Sequence, residues 1–153
     1  DGQSILMDSS STAGFLLPYI ANLKYATLFT NNIHTALSAI ELGIDTHCLG
    51  GHSVSGSAAL AGTETYKSLA DIHVDILFFS SQSLDRSGWI SDSTEEENYV
   101  RHLMLRAAQK KVFLCDSDKF DTTCAFKLAD IDEIDIAVFD REYENLDCEI
   151  KSL

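Results

Sequence analysis

The chain has 153 residues, 24 acidic against 11 basic side chains, a formal net charge of −13 and 45% hydrophobic residues. One ordinary domain is expected at this length, and the apolar share is too high for a disordered chain. The longest apolar runs, such as residues 76–79, are far shorter than the roughly 18–20 residues that a membrane helix needs. Nucleic-acid binding needs clustered positive charge, so this acidic chain is not expected to grip DNA or RNA itself.

The start of the chain and its cysteines indicate what kind of protein it comes from and in which compartment. The sequence opens at Asp1 without Met or a signal peptide and enters a strand pattern almost at once, which favours a piece of a longer protein. Its four cysteines form no Cys-x-x-Cys pair, and none has a His at metal-ligand spacing. Cys48 and Cys115 lie in apolar runs, where a thiol behaves as a small hydrophobe. The pattern predicts a reduced, cytoplasmic protein with buried thiols.

Short apolar runs alternate with segments of helical period in the first half of the chain. Pro18 is expected to kink or shorten the first helix. Ile33, Ala36, Leu37 and Ile40 have the spacing of a helix, which Gly43 closes at its C′ position. The predicted strands are 5–7, 26–29 and 46–49; helices are predicted at 13–23, from 33 to Gly43 and at 65–70, with a loop over 53–63.

The second half has a clearer pattern. Residues 74–79 are nearly all apolar, which is typical of a strand covered on both faces. Residues 83–93 are predicted to be a polar loop whose Trp89 covers a ligand or packs on a neighbouring subunit. Thr94-x-x-Glu97 predicts a capping box, followed by an apolar stripe on a helix. The stripe is Val100, Leu103, Met104 and Ala107; further strands are predicted at 112–115, 126–128 and 134–139, with 148–150 either a strand or a frayed tail.

Strands that alternate with helices of this length imply right-handed β-α-β connections. The sequence therefore predicts an α/β fold, with a mostly parallel sheet and helices on both faces.

Polar residues follow almost every predicted strand. In a parallel sheet those strand ends share one edge, and ligands of open α/β sheets bind in the crevice there. Hydroxyl, amide and carboxylate side chains suit the hydroxyls of a sugar, while a turn that enters a helix favours an anion such as phosphate. Lys119 is placed to add a compensating charge. The candidates are Asp8, Ser10, Ser11, Thr12, Thr30, Asn31, Gly50, Gly51, Ser80, Ser81, Asp116 and Lys119.

The same residue types are also ordinary helix caps and turn formers, so a single junction has two interpretations. The set of five junctions, rather than any one, favours a polar-ligand crevice. The acidic run 95–97 fits the first turn of a helix, where negative charge complements the dipole. His47 and His52 lack a third ligand at metal spacing. No Gly-x-Gly-x-x-Gly or Walker-type run indicates a nucleotide.

Five short motifs occur in an order that is similar to a known family. They are Asp8-x-x-Ser11-Thr12, Thr30-Asn31, Gly50-Gly51 with Gly62, Glu97 with Arg101, and Asp116-Ser117-x-Lys119-Phe120. From about residue 2 to 140 the chain resembles the C-terminal sensor domain of DeoR-type bacterial transcriptional regulators. The family usually has Gly at the position of Ser10, a Gly-containing turn at 80–83, Lys at the position of Arg101 and Gly at the position of Asp121.

The resemblance implies a three-layer, Rossmann-like domain with the fold of ribose-5-phosphate isomerase and glucosamine-6-phosphate deaminase. It implies a cytoplasmic homo-oligomer that needs no cofactor or metal and senses a phosphorylated sugar or related metabolite. A winged helix-turn-helix before residue 1 would bind the DNA, so residues 1–153 are predicted to be a single sensing domain.

The expected roles follow from the motifs. Phosphate is expected on the Ser10-Ser11-Thr12 turn with Lys119, and sugar hydroxyls on Asp8, Asn31, Glu97 and Asp116. Two alternatives stay open: an isomerase or deaminase-type enzyme with Glu97 or Asp116 as general base, and a domain that only assembles the oligomer.

Overall fold

The computed structural model describes residues 2–54, 56–144 and 146. The strands are β1 (Ser4–Met7), β2 (Thr27–Thr30), β3 (Asp45–Cys48), β4 (His52–Ser53), β5 (Leu60–Ala61), β6 (Val74–Phe79), β7 (Ser83–Leu84), β8 (Trp89–Asp92), β9 (Ala108–Cys115), β10 (Phe126–Asp130) and β11 (Ile136–Phe139). The helices are α1 (Ser11–Gly14), α2 (Leu17–Ile20), α3 (Ile33–Glu41), α4 (Thr63–Ala70) and α5 (Glu95–Ala107), with 3-10 turns at Ser117–Lys119 and Ile131–Glu133. None of these helices is long and apolar enough to span a membrane.

A six-stranded parallel sheet with the order β11-β9-β6-β1-β2-β3 forms the centre of the molecule. β1 lies inside it, with Ile5 opposite Leu28 on one side and Ile76 on the other. Such a strand is buried on both faces, which explains why the runs around it are apolar rather than alternating. The α/β fold with a mostly parallel sheet is confirmed.

Two apolar cores cover the two faces of this sheet. On one face α4 and α5 pack against strand residues that include Leu6, Leu77 and Phe113. On the other face α1, α2 and α3 pack against residues that include Met7 and Leu114. Helices on both faces make the three layers that were predicted.

Two small antiparallel sheets were not predicted. β7, β8 and β10 form one, and β4 pairs with β5 in the other, so the predicted loops at 53–63 and 83–93 are wrong in part. Strands of two residues are too short to show alternation. In the first of these sheets the hydroxyls of Ser83 and Ser91 lie 2.6 Å apart in the core, so polar residues there are internal partners and not loop surface. Trp89 begins β8 beneath Lys127, whose Nζ lies 4.7 Å from the ring centre.

Local helix signals were partly right. Pro18 divides the predicted first helix into α1 and α2 and lies in the first turn of α2, where its missing N–H is harmless. Thr94 is the N-cap of α5, but its side chain makes no cap hydrogen bond, so the predicted capping box is absent there. Glu97 instead interacts electrostatically with Arg101, one turn along the helix. A capping box does form at Asp130 and Glu133.

The thiols differ from one another. Cys115 is buried, and burial raises the pKa of its thiol to about 12, which makes it the inert hydrophobe that was predicted. Cys48 is exposed on the edge strand β3, so the prediction that it is buried is wrong. β3 pairs with β2 on one side and ends the sheet on the other, and three of its four residues are exposed. Cys148 and the possible strand at 148–150 lie outside the described residues.

Candidate functional site

The carboxyl ends of four parallel strands bring polar residues to one edge of the sheet. Asp8 follows β1, Asn31 follows β2, Ser80 follows β6 and Asp116 follows β9. Direct contacts join these separate segments, since Ser80 N donates to Asp8 and the Asn32 amide donates to the Ser9 carbonyl. The predicted edge is therefore a single connected surface.

A buried ionic cluster lies under this surface. Arg101 on α5 donates through Nε to Asp8 Oδ2 at 2.8 Å and faces Asp92 Oδ1 through Nη1 at 3.2 Å. All three side chains are at least nine-tenths buried. Burial alone lowers the pKa of the Arg101 guanidinium, but the two carboxylates raise it above its ordinary value, so the group stays charged. The cluster joins the turn after β1 to α5 and β8.

Both oxygens of Asp8 are occupied by donors of the protein. Oδ1 accepts from the backbone N–H and the hydroxyl of Ser10, and Oδ2 accepts from Ser80 N and Arg101. Ser10 in turn caps α1 by accepting from Ala13 N. Asp8 and Ser10 thus shape the turn that carries Ser11 and Thr12. Asp92 does the same for the next loop, where its Oδ1 accepts from Gln82 N.

A second group of side chains lies on the more open side of the edge. Thr12 Oγ1 donates to Asp116 Oδ2 at 3.4 Å, and Lys119 Nζ donates to Ser80 Oγ at 3.0 Å. Lys119 Nζ also lies 3.8 Å from Asp116 Oδ2. A cation, a carboxylate and two hydroxyls from three different strand ends meet here, which is chemistry that suits a ligand carrying both an anionic group and hydroxyls.

Asn31 has an unmatched oxygen. Its Nδ2 donates to the Leu60 carbonyl at 2.9 Å, whereas its Oδ1 is buried and has no hydrogen-bond partner among the described residues. An unpaired buried acceptor is costly, and native proteins rarely retain one without a reason. The neighbouring Thr30 is fully buried and accepts from Asn32 N, which holds the turn after β2.

The remaining candidates have mainly internal contacts. Ser81 is buried and its hydroxyl donates to the Ser83 carbonyl. The Thr65 hydroxyl donates to the Gly50 carbonyl. A Cβ on Gly51 would clash with the Ala61 carbonyl oxygen and with Thr65 Oγ1, so the close approach that requires this glycine is to the protein itself. No group of three or more His, Cys, Asp and Glu side chains in the described ranges is placed to hold a metal ion.

Replacing Gly51 with Ala is expected to lower the free energy of unfolding by about 3 kcal/mol, since overpacking and a left-handed φ both cost energy. Gly43→Ala is the matched control: Gly43 also has positive φ, but a Cβ there meets nothing within 4 Å. The control is expected to cost only about 1 kcal/mol. Urea unfolding of the two variants checks this, and equal losses would show that the contact with Ala61 is unimportant.

Sequence reasoning missed three polar residues next to the edge: the buried Asp92 and Asn98 and the exposed Gln82. Asn98 Nδ2 donates to the Phe126 carbonyl, and Gln82 Oε1 accepts from Ser93 N. Gln82 and Asp92 lie beside and in the segment predicted to be a polar loop, whereas Asn98 lies on α5. The available signal was an Asp three residues before the start of α5, and Asp is equally common in turns, so the sequence did not identify Asp92 as a buried partner.

Comparison with known proteins decides the family. A profile described as the DeoR C-terminal sensor domain matches residues 1–141. The chain belongs to this family. The sensor domain is 28% identical over 152 residues to the HTH-type transcriptional repressor GlcR of Bacillus subtilis, covering 98% of this chain and 58% of that protein. It is 27% identical over 136 residues to the L-fucose operon activator of Haemophilus influenzae, covering 88% and 54%. The chain thus spans little more than half the length of these relatives.

Solved structures with a similar fold include enzymes. Ribose 5-phosphate isomerase from Plasmodium falciparum superposes with a TM-score of 0.54 at 19% identity, over 78% of this chain and 46% of that one. The eIF2B delta subunit from Chaetomium thermophilum superposes with a TM-score of 0.62 at 15% identity, over 94% and 51%. These likenesses show the fold alone. The relatives found by sequence are regulators, so membership of a sensor family, and not of an enzyme family, describes this chain.

Proposed function

We propose that the sensor domain binds a phosphorylated sugar or related metabolite at the carboxyl edge of its sheet and so controls DNA binding by another part of a transcriptional regulator. Family membership supports the regulatory class, because the curated relatives named above are a repressor and an activator. The observation that carries the ligand class is the meeting of Lys119, Asp116 and Thr12 on the open side of the edge, where the turn after β2 adds the unpaired Asn31 oxygen to the same edge.

The proposed roles divide the edge into two layers. Ser11, Thr12 and Lys119 receive the phosphate, because Ser11 and Thr12 begin α1, where the first N–H groups of a helix lack a carbonyl partner within it, and Lys119 supplies charge. Asn31 and Asp116 bind hydroxyls of the ligand. Beneath them, and out of contact with the ligand, the residues Asp8, Ser10, Thr30, Ser81 and Arg101 fix the turns. Ser80 connects the two layers, because its N–H donates to Asp8 and its hydroxyl accepts from Lys119. The half-buried Glu97 adds a weaker interaction that also favours the charged form of Arg101. Gly50 lies against α4, and Gly51 packs against Ala61 of β5 and Thr65 of α4.

The double variant Lys119→Ala, Ser11→Ala is expected to bind a sugar phosphate at least tenfold more weakly, because a charge-assisted contact is lost. Isothermal titration calorimetry with the phosphorylated sugar that most raises the melting temperature in a panel measures this. Lys67→Ala is the matched control, since Lys67 also pairs with a carboxylate three residues away but lies on α4.

Unchanged affinity in the double variant would contradict the phosphate assignment. If no phosphorylated sugar in the panel raised the melting temperature, the ligand class itself would be wrong, and assembly of the oligomer would be the better account of the domain. The unphosphorylated sugars serve as the comparison, because they share the hydroxyls and lack the anion.

The rest of the proposal concerns the whole regulator. A winged helix-turn-helix in another part of the regulator would contact the DNA, consistent with the −13 charge of the sensor domain. The regulator would work in the cytoplasm as a homo-oligomer. The ligand can favour one arrangement of the subunits only through its differential affinity for the two arrangements.

A further inference from the structure

The helical layer formed by α1, α2 and α3 exposes an unusual number of large apolar side chains. Three aromatics protrude from it: Phe15 is 77% exposed, Tyr19 73% and Tyr25 89%. Five aliphatic side chains are exposed by 39–59% in the same segment; they are Leu23, Ile33, Leu37, Ile40 and Leu42. We call these eight side chains the α1–α3 surface. Eight of the eleven large hydrophobic side chains that are exposed in the described residues belong to it.

The apolar pattern of α3 explains part of this surface. Its buried residues are the small Thr35, Ala36 and Ala39, which let the helix lie close on the sheet. Ile33, Leu37 and Ile40 follow the same helical period on the side that faces away. A solvent-facing helix side normally carries charge, so this side has the composition of a contact surface.

The area of the surface fits an interface between two proteins. At roughly 200 Å² for each aromatic side chain, the three aromatics alone expose on the order of 500 Å². The aliphatic side chains bring the total to on the order of 800 Å², which is what each partner buries in a standard interface. Monomeric proteins rarely expose a continuous apolar patch of more than a few hundred Å².

Charge favours a second copy of the chain as the partner. Residues 9–44 contain one Lys and one Glu, although the whole chain has 11 Lys and Arg and 24 Asp and Glu. Two copies that each carry −13 repel one another, and a nearly neutral face is where they can approach. A basic partner, such as a DNA-binding domain, would instead be matched by an acidic face.

The shape of the α1–α3 surface also favours a second copy of the chain as the partner. Beside the protruding Tyr19 lies an apolar groove of about 190 Å³ between α2 and the uncovered part of β6. Its lining includes Leu16, Ile20, Ile76 and Phe78. A two-fold interface is self-complementary, so one surface must carry both the projection and the recess that receives it. The α1–α3 surface and its groove meet that requirement.

We infer that the α1–α3 surface is the contact face of a two-fold dimer of this chain, with an aromatic side chain of each copy in the groove of the other. This inference rests on one part of the proposed function, namely that the regulator is a homo-oligomer. The surface begins one helical turn from the candidate site, since Phe15 N donates to the carbonyl of Thr12. A ligand held at Thr12 can therefore act on the dimer.

Sedimentation velocity of the chain without metabolite or DNA tests the inference. The wild type is expected to sediment as a dimer, with twice the 16.9 kDa of one chain. Tyr19→Lys combined with Leu37→Lys is expected to raise the dimer dissociation constant at least a hundredfold, because charge would be buried. Both side chains are largely exposed, so the fold should tolerate the change, and Tyr19→Ser with Leu37→Ser provides a second, uncharged version.

Tyr99→Lys is the matched control, since Tyr99 is half-exposed but lies on α5 in the opposite layer. The control is expected to remain a dimer. A monomeric wild type, a double variant that dimerises like the control, or a control that dissociates as readily as the double variant would each overturn the inference. Because no ligand is present, failure of sugar-phosphate binding leaves the result unaffected.

Discussion

Arg101→Met is expected to lower the free energy of unfolding by about 3–5 kcal/mol, the cost of breaking a buried ion pair from one side. The guanidinium is the positive charge that the structure places between Asp8 and Asp92, and all three side chains are at least nine-tenths buried. Methionine fills a similar volume and leaves two buried carboxylates without compensation. Urea unfolding followed by circular dichroism measures the loss.

Arg106→Met is the control for this change. Arg106 lies one turn and a half along the same helix and is exposed, so its loss should be small. Arg101→Lys separates charge from geometry: a lysine keeps the charge but has no planar fork to reach both carboxylates, and an intermediate loss is expected. A loss in Arg101→Met no larger than in Arg106→Met would show that the cluster does not hold the turns together.

The same variant tests whether the cluster positions the site. Adding Asp8→Asn and Asp92→Asn to Arg101→Met removes the uncompensated charges, so part of the stability is expected to return. Sugar-phosphate affinity is not expected to return with it, because the turn after β1 would no longer be tied through Arg101 to Asp92 on β8.

The central sheet could be predicted from the sequence because its strands are recognisable as short runs that are followed by polar residues. Residues 74–79 are apolar throughout, as a strand buried on both faces must be, and polar residues follow directly. Parallel pairing then places those polar residues on one edge of the sheet, so the prediction needs no interatomic distances. The fold class and the location of the candidate site both follow from this one physical constraint.

The division of labour within the edge could not be predicted. Asp8 and Asp116 occupy equivalent positions after their strands, yet Asp8 is enclosed by four donors and Asp116 lies at the open side. The difference comes from Arg101, which is 93 residues from Asp8 in sequence. Burial of a carboxylate depends on such long-range partners, which cannot be identified from the few residues at the end of a strand.

The helical period of apolar residues also does not show whether that side of the helix packs in the core or is exposed. Val100, Met104 and Ala107 on α5 follow a helical period and are buried in the core. Ile33, Leu37 and Ile40 on α3 follow the same period and are exposed. The period reports only that one side of a helix avoids water. Whether that side meets its own sheet or another molecule depends on which face the small residues occupy.

Asn31→Ala is expected to weaken sugar-phosphate binding roughly tenfold to a hundredfold, the effect of leaving one buried polar partner unpaired. In the free protein Asn31 Oδ1 accepts no hydrogen bond from a described residue, so a ligand hydroxyl would be its first donor. The stability of the free domain should change little, since the variant loses the bond to the Leu60 carbonyl but also an unpaired buried oxygen. Calorimetric titration and urea unfolding measure the two effects separately.

Asn98→Ala is the matched control, because Asn98 is also buried and also donates through Nδ2 to a backbone carbonyl, that of Phe126. Asn98 Nδ2 serves the fold by donating to the Phe126 carbonyl and to Asp92 Oδ2, so this variant is expected to lose about 1 kcal/mol of stability and less than threefold in affinity. The two variants should thus show opposite behaviour. If Asn31→Ala bound the ligand as tightly as the wild type while losing stability like Asn98→Ala, the unpaired oxygen would not face the ligand, and the hydroxyl-binding role would fall to Asp116 alone.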